Sequence, residues 1–233
     1  MVSDTAAVIV AAGQGRRMGG TNKALMRLNG QPLLAYSIRA FRACASIGRI
    51  VVVMNDYDIK RMQAEWSTSP THLGADLTVA GGSERWISSR NGVEAICDGH
   101  DYVLVHDAAR PLIGSSDIES VISSMRQHGC ALAAEPLADT LKQCGGDTRV
   151  TLTVDRQHLW CAQTPQGAKC ETMLEAFASW DAEAMGLPTD ESMMLEKIGQ
   201  HPELVACSNP NFKLTSPRDL HVAEALLQCG SIS

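Results

Sequence analysis

Short apolar runs alternate with longer amphipathic segments from Ala6 to Ala134. The runs have the length and β-branched content of buried strands, and they are Ala6–Ala12, Ile50–Met54, Leu77–Ala80, Tyr102–Val105 and Cys130–Ala134. The intervening segments predict helices at Pro32–Cys44, at Asp56–Trp66, from about Trp86 to Cys97, and at Ser116–His128. This alternation is typical of an α/β fold with a mostly parallel sheet flanked by helices.

The alternation breaks after the fifth strand. Asp139–Cys144 and Arg149–Val154 predict two strands around a tight turn, as in a β-hairpin. A hairpin inserted there is expected to project from the body as an arm, at about residues 137–158. Its small, β-branched and polar residues would suit packing against another subunit. The chain is otherwise expected to form a single domain over residues 1–233.

The last part of the chain contains shorter predicted elements. Thr164–Gly167 is expected to be a loop, followed by helices from about Cys170 to Trp180 and from about Pro188 to Lys197. Glu203–Cys207 and Phe212–Leu214 have the pattern of short strands. A final helix is predicted with Ser216 as its N-cap, Pro217 in its first position and Asp219 completing a capping box.

A glycine-rich, basic loop follows the first strand. Its glycines are Gly13, Gly15, Gly19 and Gly20, and its cations are Arg16, Arg17 and Lys23. No Asp or Glu occurs from Thr5 to Asn55, where seven Lys and Arg residues form a cationic segment in a chain of net charge −6. Backbone N–H groups at glycines can approach a ligand closely, and fixed cations balance phosphate charge. The loop therefore predicts a site for a nucleoside triphosphate.

Two common phosphate loops do not fit this segment. Gly13 and Gly15 begin the dinucleotide pattern G-x-G-x-x-G, but Met18 occupies the place of the third glycine. The acidic residue expected about 20 positions later is absent, which argues against a dehydrogenase. The G-K-[ST] ending of a P-loop is also missing. A tight turn without a ligand remains the alternative for this loop.

Further candidate residues follow two other predicted strands. Asp107 could hold Mg²⁺ or a ribose hydroxyl, and Arg110 could reach an anionic group. The alternative is that Asp107 caps its own loop and pairs with Arg110. Gly81–Ser83 with Ser88 could contact a base edge or a phosphate, or could simply form a turn and a helix cap. Because ligands of parallel sheets gather at the carboxyl ends of strands, these loops are expected to share one site.

Composition excludes several classes of protein. Aromatic residues make up only 4% of the chain and the net charge is negative, which argues against a nucleic-acid partner. No apolar run reaches the roughly 18 residues of a membrane helix, and Met1–Asp4 lacks the basic start of a signal peptide. The eight cysteines form no C-x-x-C pair. They are expected to be reduced and mostly buried, as in a cytoplasmic protein.

Eight short motifs occur in a characteristic order. They are Ala11–Lys23, Gly81–Ser88, Val105–Pro111, Asp139–Lys142, Thr153–Arg156, Thr164–Gln166, Thr189–Glu191 and Asn211–Leu220. Together they span nearly the whole chain, and their order resembles that of the 2-C-methyl-D-erythritol 4-phosphate cytidylyltransferase family. The chain departs from that pattern at Asn22 and Ala24, where proline and glutamine are commoner, and at Gly167, where an aromatic residue is frequent.

The resemblance implies a Rossmann-like nucleotidyltransferase fold, Mg²⁺-dependent transfer of CMP from CTP to methylerythritol phosphate, and a homodimer joined by the arm. The catalytic residues implied are Arg17, Lys23 and Lys213. The nucleotide-binding residues implied are Ala11, Ala12, Gly13, Gly15, Gly82, Ser83, Ser88 and Asp107, the last through ribose or metal. The substrate-binding residues implied are Arg110, Thr140, Arg156 and Thr189. Thr140 and Arg156 would serve the partner chain's site.

Two rival functions share these motifs. A sister family transfers CMP to ribitol 5-phosphate, and Ala109 favours the erythritol enzyme over it only weakly. A regulator without catalytic activity would bind CTP and release no pyrophosphate. The presence of Arg17, Lys23, Asp107 and Lys213 together argues against the regulator. The alternative roles of Thr189, a helix cap or a substrate ligand, are not separated by the sequence.

Overall fold

The computed structural model describes residues 3–13 and 22–230. The strands are β1 (Thr5–Val10), β2 (Arg27–Leu28), β3 (Gln31–Pro32), β4 (Ile47–Val53), β5 (Leu77–Val79), β6 (Tyr102–Asp107), β7 (Cys130–Pro136), β8 (Leu141–Cys144), β9 (Val150–Val154), β10 (Trp160–Lys169) and β11 (Glu203–Ala206). The helices are α1 (Leu33–Arg42), α2 (Asp56–Trp66), α3 (Arg85–Ile96), α4 (Ser115–His128), α5 (Cys170–Ala178), α6 (Ala182–Met185), α7 (Glu191–Lys197) and α8 (Pro217–Gln228). The five strands expected before the arm are confirmed as β1, β4, β5, β6 and β7.

A central sheet of seven strands organises the molecule, in the order β11-β7-β10-β6-β1-β4-β5. β1 pairs in parallel with both β4 and β6, and β4 with β5, which confirms a mostly parallel α/β sheet. In chain order, β4 and β5 lie on one side of β1, and β6, which comes later, lies on the other side of β1. The carboxyl ends of β1 and β6 therefore border the point where the strand order reverses, which is where ligands of such sheets bind.

β10 corrects one sequence-based expectation. Thr164–Gly167 was expected to be a loop, but these residues lie within β10, which runs antiparallel between β6 and β7. The pairing with β7 is irregular between Ala162 and Gln166, and the Thr164–Pro165 peptide bond is cis. Since proline has no N–H to donate, it is tolerated at such an irregularity within a sheet.

Three other predicted elements differ from the structure. Phe212–Leu214 is not a strand, although Leu214 is buried. The helix expected from Pro188 begins at Glu191, and its N-cap is Asp190 rather than Thr189. Pro32 is the N-cap of α1 instead of its first residue. The capping box at Ser216 and Asp219 is confirmed, with Pro217 opening α8.

The core consists of aliphatic side chains on both faces of the sheet. Ala7 and Ile9 on one face of β1 belong to the same core cluster as side chains of α1 and α4, and Ala6 and Val8 on the other face belong to the cluster that includes side chains of α3 and α5. α3 packs closely because it carries Gly92 at the contact. A Cβ there would lie 2.4 Å from Cγ1 of Val8. The first residues of α3 are thereby held near the end of β1.

The predicted hairpin is confirmed as β8 and β9, which form a separate two-stranded sheet. It carries exposed apolar side chains, among them Val150, 62% exposed, and Leu152, 55% exposed. All eight cysteines are free, and burial is less general than expected because Cys144, Cys161 and Cys229 are exposed. Within residues 3–13 and 22–230, no helix has the length and apolar character needed to cross a membrane.

Candidate functional site

A cavity of about 460 Å³ opens at the carboxyl ends of β1, β5 and β6. Its lining brings together residues far apart in the sequence. They are Val10, Ala11, Ala12, Gly13, Asn22, Lys23, Ala24, Gly82, Ser83, Glu84, Arg85, Ser88, Asp107, Ala108, Ala109, Lys213 and Thr215. The expectation that three separate loops share one site is therefore confirmed.

Asn22 fixes the turn that carries Lys23. Its amide nitrogen donates to the carbonyl oxygen of Ala11 at 2.7 Å and to Oδ2 of Asp58 at 2.7 Å, and its oxygen accepts from the N–H of Ala24 at 3.0 Å. The side chain is 4% exposed, and these bonds satisfy both of its donors and its acceptor. Asn22 departs from the family pattern, yet it binds the Lys23 turn firmly to the end of β1.

The loop after β5 lies against the end of β1. Gly81 leaves no room for a side chain, since a Cβ there would lie 2.3 Å from the Cβ of Ala12. Oγ of Ser88 accepts from the N–H of Gly82 at 3.0 Å and donates to the carbonyl oxygen of Glu84 at 3.1 Å. Ser88 therefore shapes the loop from inside, while Gly82 and Ser83 line the cavity.

Asp107 lies at the centre of a group of charges. Its Oδ1 accepts from Nε of Arg85 at 2.9 Å, and its Oδ2 accepts from Nζ of Lys213 at 2.6 Å. Burial alone would raise the pKa of Asp107, but Arg85 and Lys213 together hold that pKa far below its usual value. Asp107 is therefore ionised at any pH at which the protein works.

The sequence analysis considered an ion pair between Asp107 and Arg110. In the structure, the side-chain partners of Asp107 are Arg85 and Lys213 instead. The guanidinium of Arg110 donates through Nη1 to the carbonyl oxygen of Asn211 at 2.7 Å. Burial lowers the pKa of Arg110, an effect that nearby Asp107 opposes. Arg110 is not among the residues that line the cavity.

Arg85, which lines the cavity, and its partner Glu191 belong to two of the eight motifs, but the sequence analysis assigned no role to either. The guanidinium of Arg85 donates to Oε1 and Oε2 of Glu191 at 2.8 and 3.0 Å, in addition to its bond with Asp107. One signal for Arg85 was present in the sequence, because a cation in the first turn of a helix opposes the helix dipole. Glu191 gave no such signal, since an acid in the first turn of a helix is favourable there.

A chain of buried hydrogen bonds begins at the backbone N–H of Asp107. The N–H of Asp107 donates to Oγ1 of Thr164 at 3.0 Å, and that oxygen lies 3.1 Å from Nδ1 of His106. Nε2 of His106 lies 3.1 Å from the carbonyl oxygen of Arg110, which can only accept. The proton of the neutral ring is therefore assigned to Nε2, and Nδ1 accepts from Thr164.

The segment before α8 brings Lys213 to the cavity. The N–H of Leu214 donates to the carbonyl oxygen of Ala109 at 2.8 Å, which ties this segment to the loop after β6. Oδ2 of Asp219 accepts from the N–H groups of Thr215 and Ser216 at 2.7 and 2.8 Å. The capping box of α8 thus also fixes the residues that follow Lys213.

The predicted site residues fall into three groups. Those that line the cavity are Ala11, Ala12, Gly13, Lys23, Gly82, Ser83, Ser88, Asp107 and Lys213. Arg110, Thr140, Arg156 and Thr189 do not line it. Thr140 and Arg156 are exposed at the base of the arm, and Thr189 is exposed before α7. Gly15 and Arg17 lie outside the described residues.

Comparison with known proteins gives concordant results. The family model described as 2-C-methyl-D-erythritol 4-phosphate cytidylyltransferase matches residues 5–229. A protein of that name from Alkaliphilus oremlandii is 35% identical over 228 residues, covering 97% of this chain and 96% of the relative. Another protein of that name, from Symbiobacterium thermophilum, is 36% identical over 222 residues, covering 95% of this chain and 92% of the relative.

Solved structures resemble this chain over nearly its whole length. The crystal structure of 2-C-methyl-D-erythritol 4-phosphate cytidylyltransferase from Thermus thermophilus superposes with a TM-score of 0.76 at 29% identity, covering 95% of this chain and 98% of that one. A 4-diphosphocytidyl-2C-methyl-D-erythritol synthase structure from Anaerococcus prevotii gives 0.79 at 23% identity and covers 96% of both chains. The expected Rossmann-like nucleotidyltransferase fold is confirmed.

Proposed function

Because the chain belongs to the 2-C-methyl-D-erythritol 4-phosphate cytidylyltransferase family, and is therefore an enzyme, we propose that it transfers CMP from CTP to 2-C-methyl-D-erythritol 4-phosphate. The products are 4-diphosphocytidyl-2-C-methyl-D-erythritol and pyrophosphate. This reaction would place the protein in the synthesis of isoprenoid precursors.

One observation carries the proposal. Two lysines from distant segments of the chain, Lys23 and Lys213, line one cavity at the strand ends where parallel sheets bind ligands. The cavity volume, about 460 Å³, falls within the usual range for small-molecule sites. Two phosphorylated substrates need such cations, because their phosphate groups carry several negative charges.

We assign the nucleotide to the side of the cavity formed by β1 and the loop after β5. The backbone at Ala11–Gly13 would meet the triphosphate, together with Lys23 and Arg17. The exposed backbone around Gly82 and Ser83 would meet the cytosine. The N–H of Gly82 is already bonded to Ser88, so base recognition would fall to the remaining groups of this loop.

We propose that Mg²⁺ enters the cavity together with the nucleotide. Over the described ranges 3–13 and 22–230, no group of three or more His, Cys, Asp or Glu side chains is arranged to hold a metal. Asp107 offers one carboxylate, and Mg²⁺ is commonly held by one or two carboxylates with substrate phosphates. Bound there, the ion would neutralise phosphate charge, and Asp107 would hold either the ion or the ribose.

The proposed chemistry is a direct displacement. A phosphate oxygen of methylerythritol phosphate attacks the α-phosphorus of CTP, the bond from that phosphorus to the bridging oxygen breaks, and pyrophosphate leaves. The attacking oxygen is already ionised near neutral pH, so no general base is required. The work of Arg17, Lys23 and Lys213 is to position both substrates and to stabilise charge in the transition state.

For the acceptor substrate we propose a site shared between two chains. Arg110 and Thr189 would contribute from the same chain as Lys213, and Thr140 and Arg156 would contribute from the arm of a partner. The exposed apolar side chains of β8 and β9 support this arrangement, because an isolated two-stranded hairpin is marginal in water.

Pyrophosphate release tests the proposed function. The protein is incubated with CTP and Mg²⁺, with either methylerythritol phosphate or ribitol 5-phosphate as acceptor, and then with UTP in place of CTP. We expect release with methylerythritol phosphate, and a preference for CTP over UTP on the order of 10²-fold or more, because the wrong base leaves buried polar groups unpaired. Turnover with ribitol 5-phosphate alone would assign the chain to the sister activity. CTP binding without release would indicate a regulator.

A further inference from the structure

Four charged side chains form a continuous series of ion pairs that ends in the cavity. Glu191 binds Arg85 with two hydrogen bonds of 2.8 and 3.0 Å, Arg85 binds Asp107 at 2.9 Å, and Asp107 binds Lys213 at 2.6 Å. The series contains two acids and two bases, so its formal charge is zero. Exposure falls along the series away from Lys213: 39% of the Lys213 side chain is accessible and 28% of the Arg85 side chain, whereas Asp107 is 10% and Glu191 0% accessible.

The far end of this series is fixed to the sheet. Oδ1 of Asp190 caps α7 by accepting from the N–H of Met193 at 3.0 Å, and its Oδ2 accepts from Nε2 of Gln166 at 3.0 Å. Oε1 of Gln166 accepts from the N–H of Ser192 at 2.8 Å. Glu191 lies between these two contacts and its side chain is completely buried. Its carboxylate therefore has a fixed position relative to β10.

This geometry leaves Arg85 little freedom to bind a ligand. A guanidinium has five N–H donors, and Arg85 directs three of them to carboxylates. Paired, planar contacts of this kind set the orientation of the group as well as its position. Arg85 consequently holds Oδ1 of Asp107 in one place and leaves Oδ2 directed at Lys213.

We propose that Arg85 and Glu191 are positioning residues that hold Asp107, and through it Lys213, in the geometry required for nucleotidyl transfer. The proposal rests on the proposed function for its kinetic consequences. Glu191 touches no ligand, because it is fully buried. Its effect on the reaction passes through Arg85.

The rival role for Arg85 is direct binding of a substrate phosphate, and the two roles predict opposite results for Glu191→Gln. This change removes a negative charge beside an anion-binding cavity. If Arg85 binds phosphate, freeing it from Glu191 lowers the KM for CTP or for methylerythritol phosphate and leaves kcat intact. If Arg85 is a positioning residue, kcat falls although the cavity has become more positive.

Steady-state kinetics of Glu191→Gln provide the test. We expect kcat to fall by about 10- to 100-fold, because small displacements of a positioned group can cost that much, with the KM for CTP changed only a few-fold. The matched control is Glu65→Gln, which removes the acid of the Arg61–Glu65 pair on α2, 2.6 Å long, neither member of which lines the cavity. Its kinetics should equal those of the parent. A kcat within a few-fold of the parent in Glu191→Gln would overturn the proposal.

A second variant separates positioning from simple support of folding. Glu191→Gln leaves the charge of Arg85 partly unpaired, whereas Arg85→Gln with Glu191→Gln removes both charges of the buried pair together. The double variant should melt close to the parent temperature and still show a kcat at least about 10-fold lower. If its kcat returned to the parent value together with its stability, the pair would serve folding alone and the proposal would fail.

Crystal structures of the parent and of Glu191→Gln give a result that needs no turnover. The Asp107 carboxylate and Nζ of Lys213 should be displaced in the variant by about 1 Å or more. An unchanged Asp107–Lys213 pair would contradict the proposal even if activity were lost. A parent protein that releases no pyrophosphate would overturn the proposed function instead, and the displacement would still decide whether the series of ion pairs positions Lys213.

Discussion

At the scale of single residues, His106 is the polar side chain next to Asp107 whose two ring nitrogens both have a hydrogen-bond partner. His106 is completely buried in β6, and its two ring nitrogens contact Thr164 and the backbone of Arg110. Burial lowers the pKa of His106 to about 4, although the nearby charge of Asp107 acts in the opposite direction. The neutral ring is therefore part of the folded structure, and protonation of Nδ1 would break its bond from Thr164.

A pH dependence of stability follows from this histidine. In the unfolded chain it binds a proton near its ordinary pKa of about 6.5, whereas in the folded chain it remains neutral down to about 4. The unfolded state thus gains protons first as the pH falls, and the free energy of unfolding decreases between these two values. Between about pH 7 and about pH 5, this contribution should be on the order of 2 kcal/mol.

Urea unfolding at these two pH values measures the effect. His106→Gln should be less stable than the parent at neutral pH, because it disturbs the buried contacts of His106. Since glutamine does not titrate, the variant should lose less stability on acidification. The other histidines and carboxylates are common to both proteins and cancel in the comparison. Equal losses in the parent and in His106→Gln would show that His106 is not kept neutral by folding.

The sequence was informative about some site residues and silent about others. Asp107 could be proposed because it follows an apolar strand, whereas Lys213 could be proposed only from the resemblance of its motif to the family. Arg85 and Glu191 stand in two of the eight motifs but were given no role, because they are separated by 106 positions and nothing local marks two charged residues as partners. Asn22 was noted only as a departure from the family pattern, since its buried contacts exist only in three dimensions.

At the scale of elements, the contact between α3 and the sheet is unusually close at Gly92. A Cβ at this position would lie 2.4 Å from Cγ1 of Val8 and 2.7 Å from Cγ2 of Val53. Both partners belong to central strands, β1 and β4, and cannot easily move. Because α3 begins with Arg85, the depth at which this helix packs also sets where Arg85 meets Asp107.

Gly92→Ala tests this contact through two opposing effects. Alanine favours helix formation over glycine by about 1 kcal/mol. Overpacking of a filled core costs about 1–3 kcal/mol and displaces the backbone. We expect the second effect to prevail, giving a net loss of about 1 kcal/mol in urea unfolding and a lower kcat.

The control is Glu94→Ala on the exposed face of the same helix. It gains helix propensity without entering the core, and its stability should stay within about 0.5 kcal/mol of the parent. A Gly92→Ala protein that is more stable than the parent, with unchanged kcat, would contradict the close-packing argument.

The order of elements was predictable wherever apolar periodicity was strong, and the failures have physical causes. Thr164–Gly167, now within β10, was expected to be a loop because proline and glycine are favoured in turns. It is a strand because β6 and β7 supply partners on both sides. Phe212–Leu214 has the alternation of a strand, and Leu214 is indeed buried. No strand forms there, because the backbone N–H of Leu214 donates its hydrogen bond to the loop residue Ala109 and not to a neighbouring strand.

At the scale of the whole molecule, the arm has apolar side chains that the rest of the chain leaves exposed, among them Leu141, Val150 and Leu152. Leu141, Leu152 and Val154 share one face of the two-stranded sheet, since Leu141 pairs with Val154 and Gln143 with Leu152. Thr153 lies on the other face and accepts from Nζ of Lys142 at 2.7 Å. An exposed apolar face of this kind is expected to bind a second copy in a two-fold dimer.

Sedimentation of two charge variants tests the dimer. Leu152→Asp places a charge on the apolar face and should shift the protein from dimer to monomer at micromolar concentration. Thr153→Asp adds the same charge to the opposite face and should leave the dimer largely intact. Equal behaviour of the two variants would argue against association through the apolar face.

A mixing experiment asks whether the arm also completes the partner's site. Lys213→Ala and Arg156→Ala are each expected to be inactive, and they are mixed under conditions where subunits exchange. If Arg156 serves the partner, one site of each heterodimer carries both changes and the other carries none. Random pairing then restores about a quarter of the sites. If subunits exchange and no activity returns, Arg156 acts within its own chain.

The wide spacing of the cavity residues has a consequence for protein synthesis. The lining extends from Val10 to Thr215, and β1 lies in the interior of the sheet between β6 and β4, both of which are synthesised after it. A nascent chain that has not yet passed Lys213 can fold much of the sheet but lacks one wall of the site. Since a ligand stabilises only the state that binds it, nucleotide would protect finished chains from proteolysis and leave interrupted ones exposed.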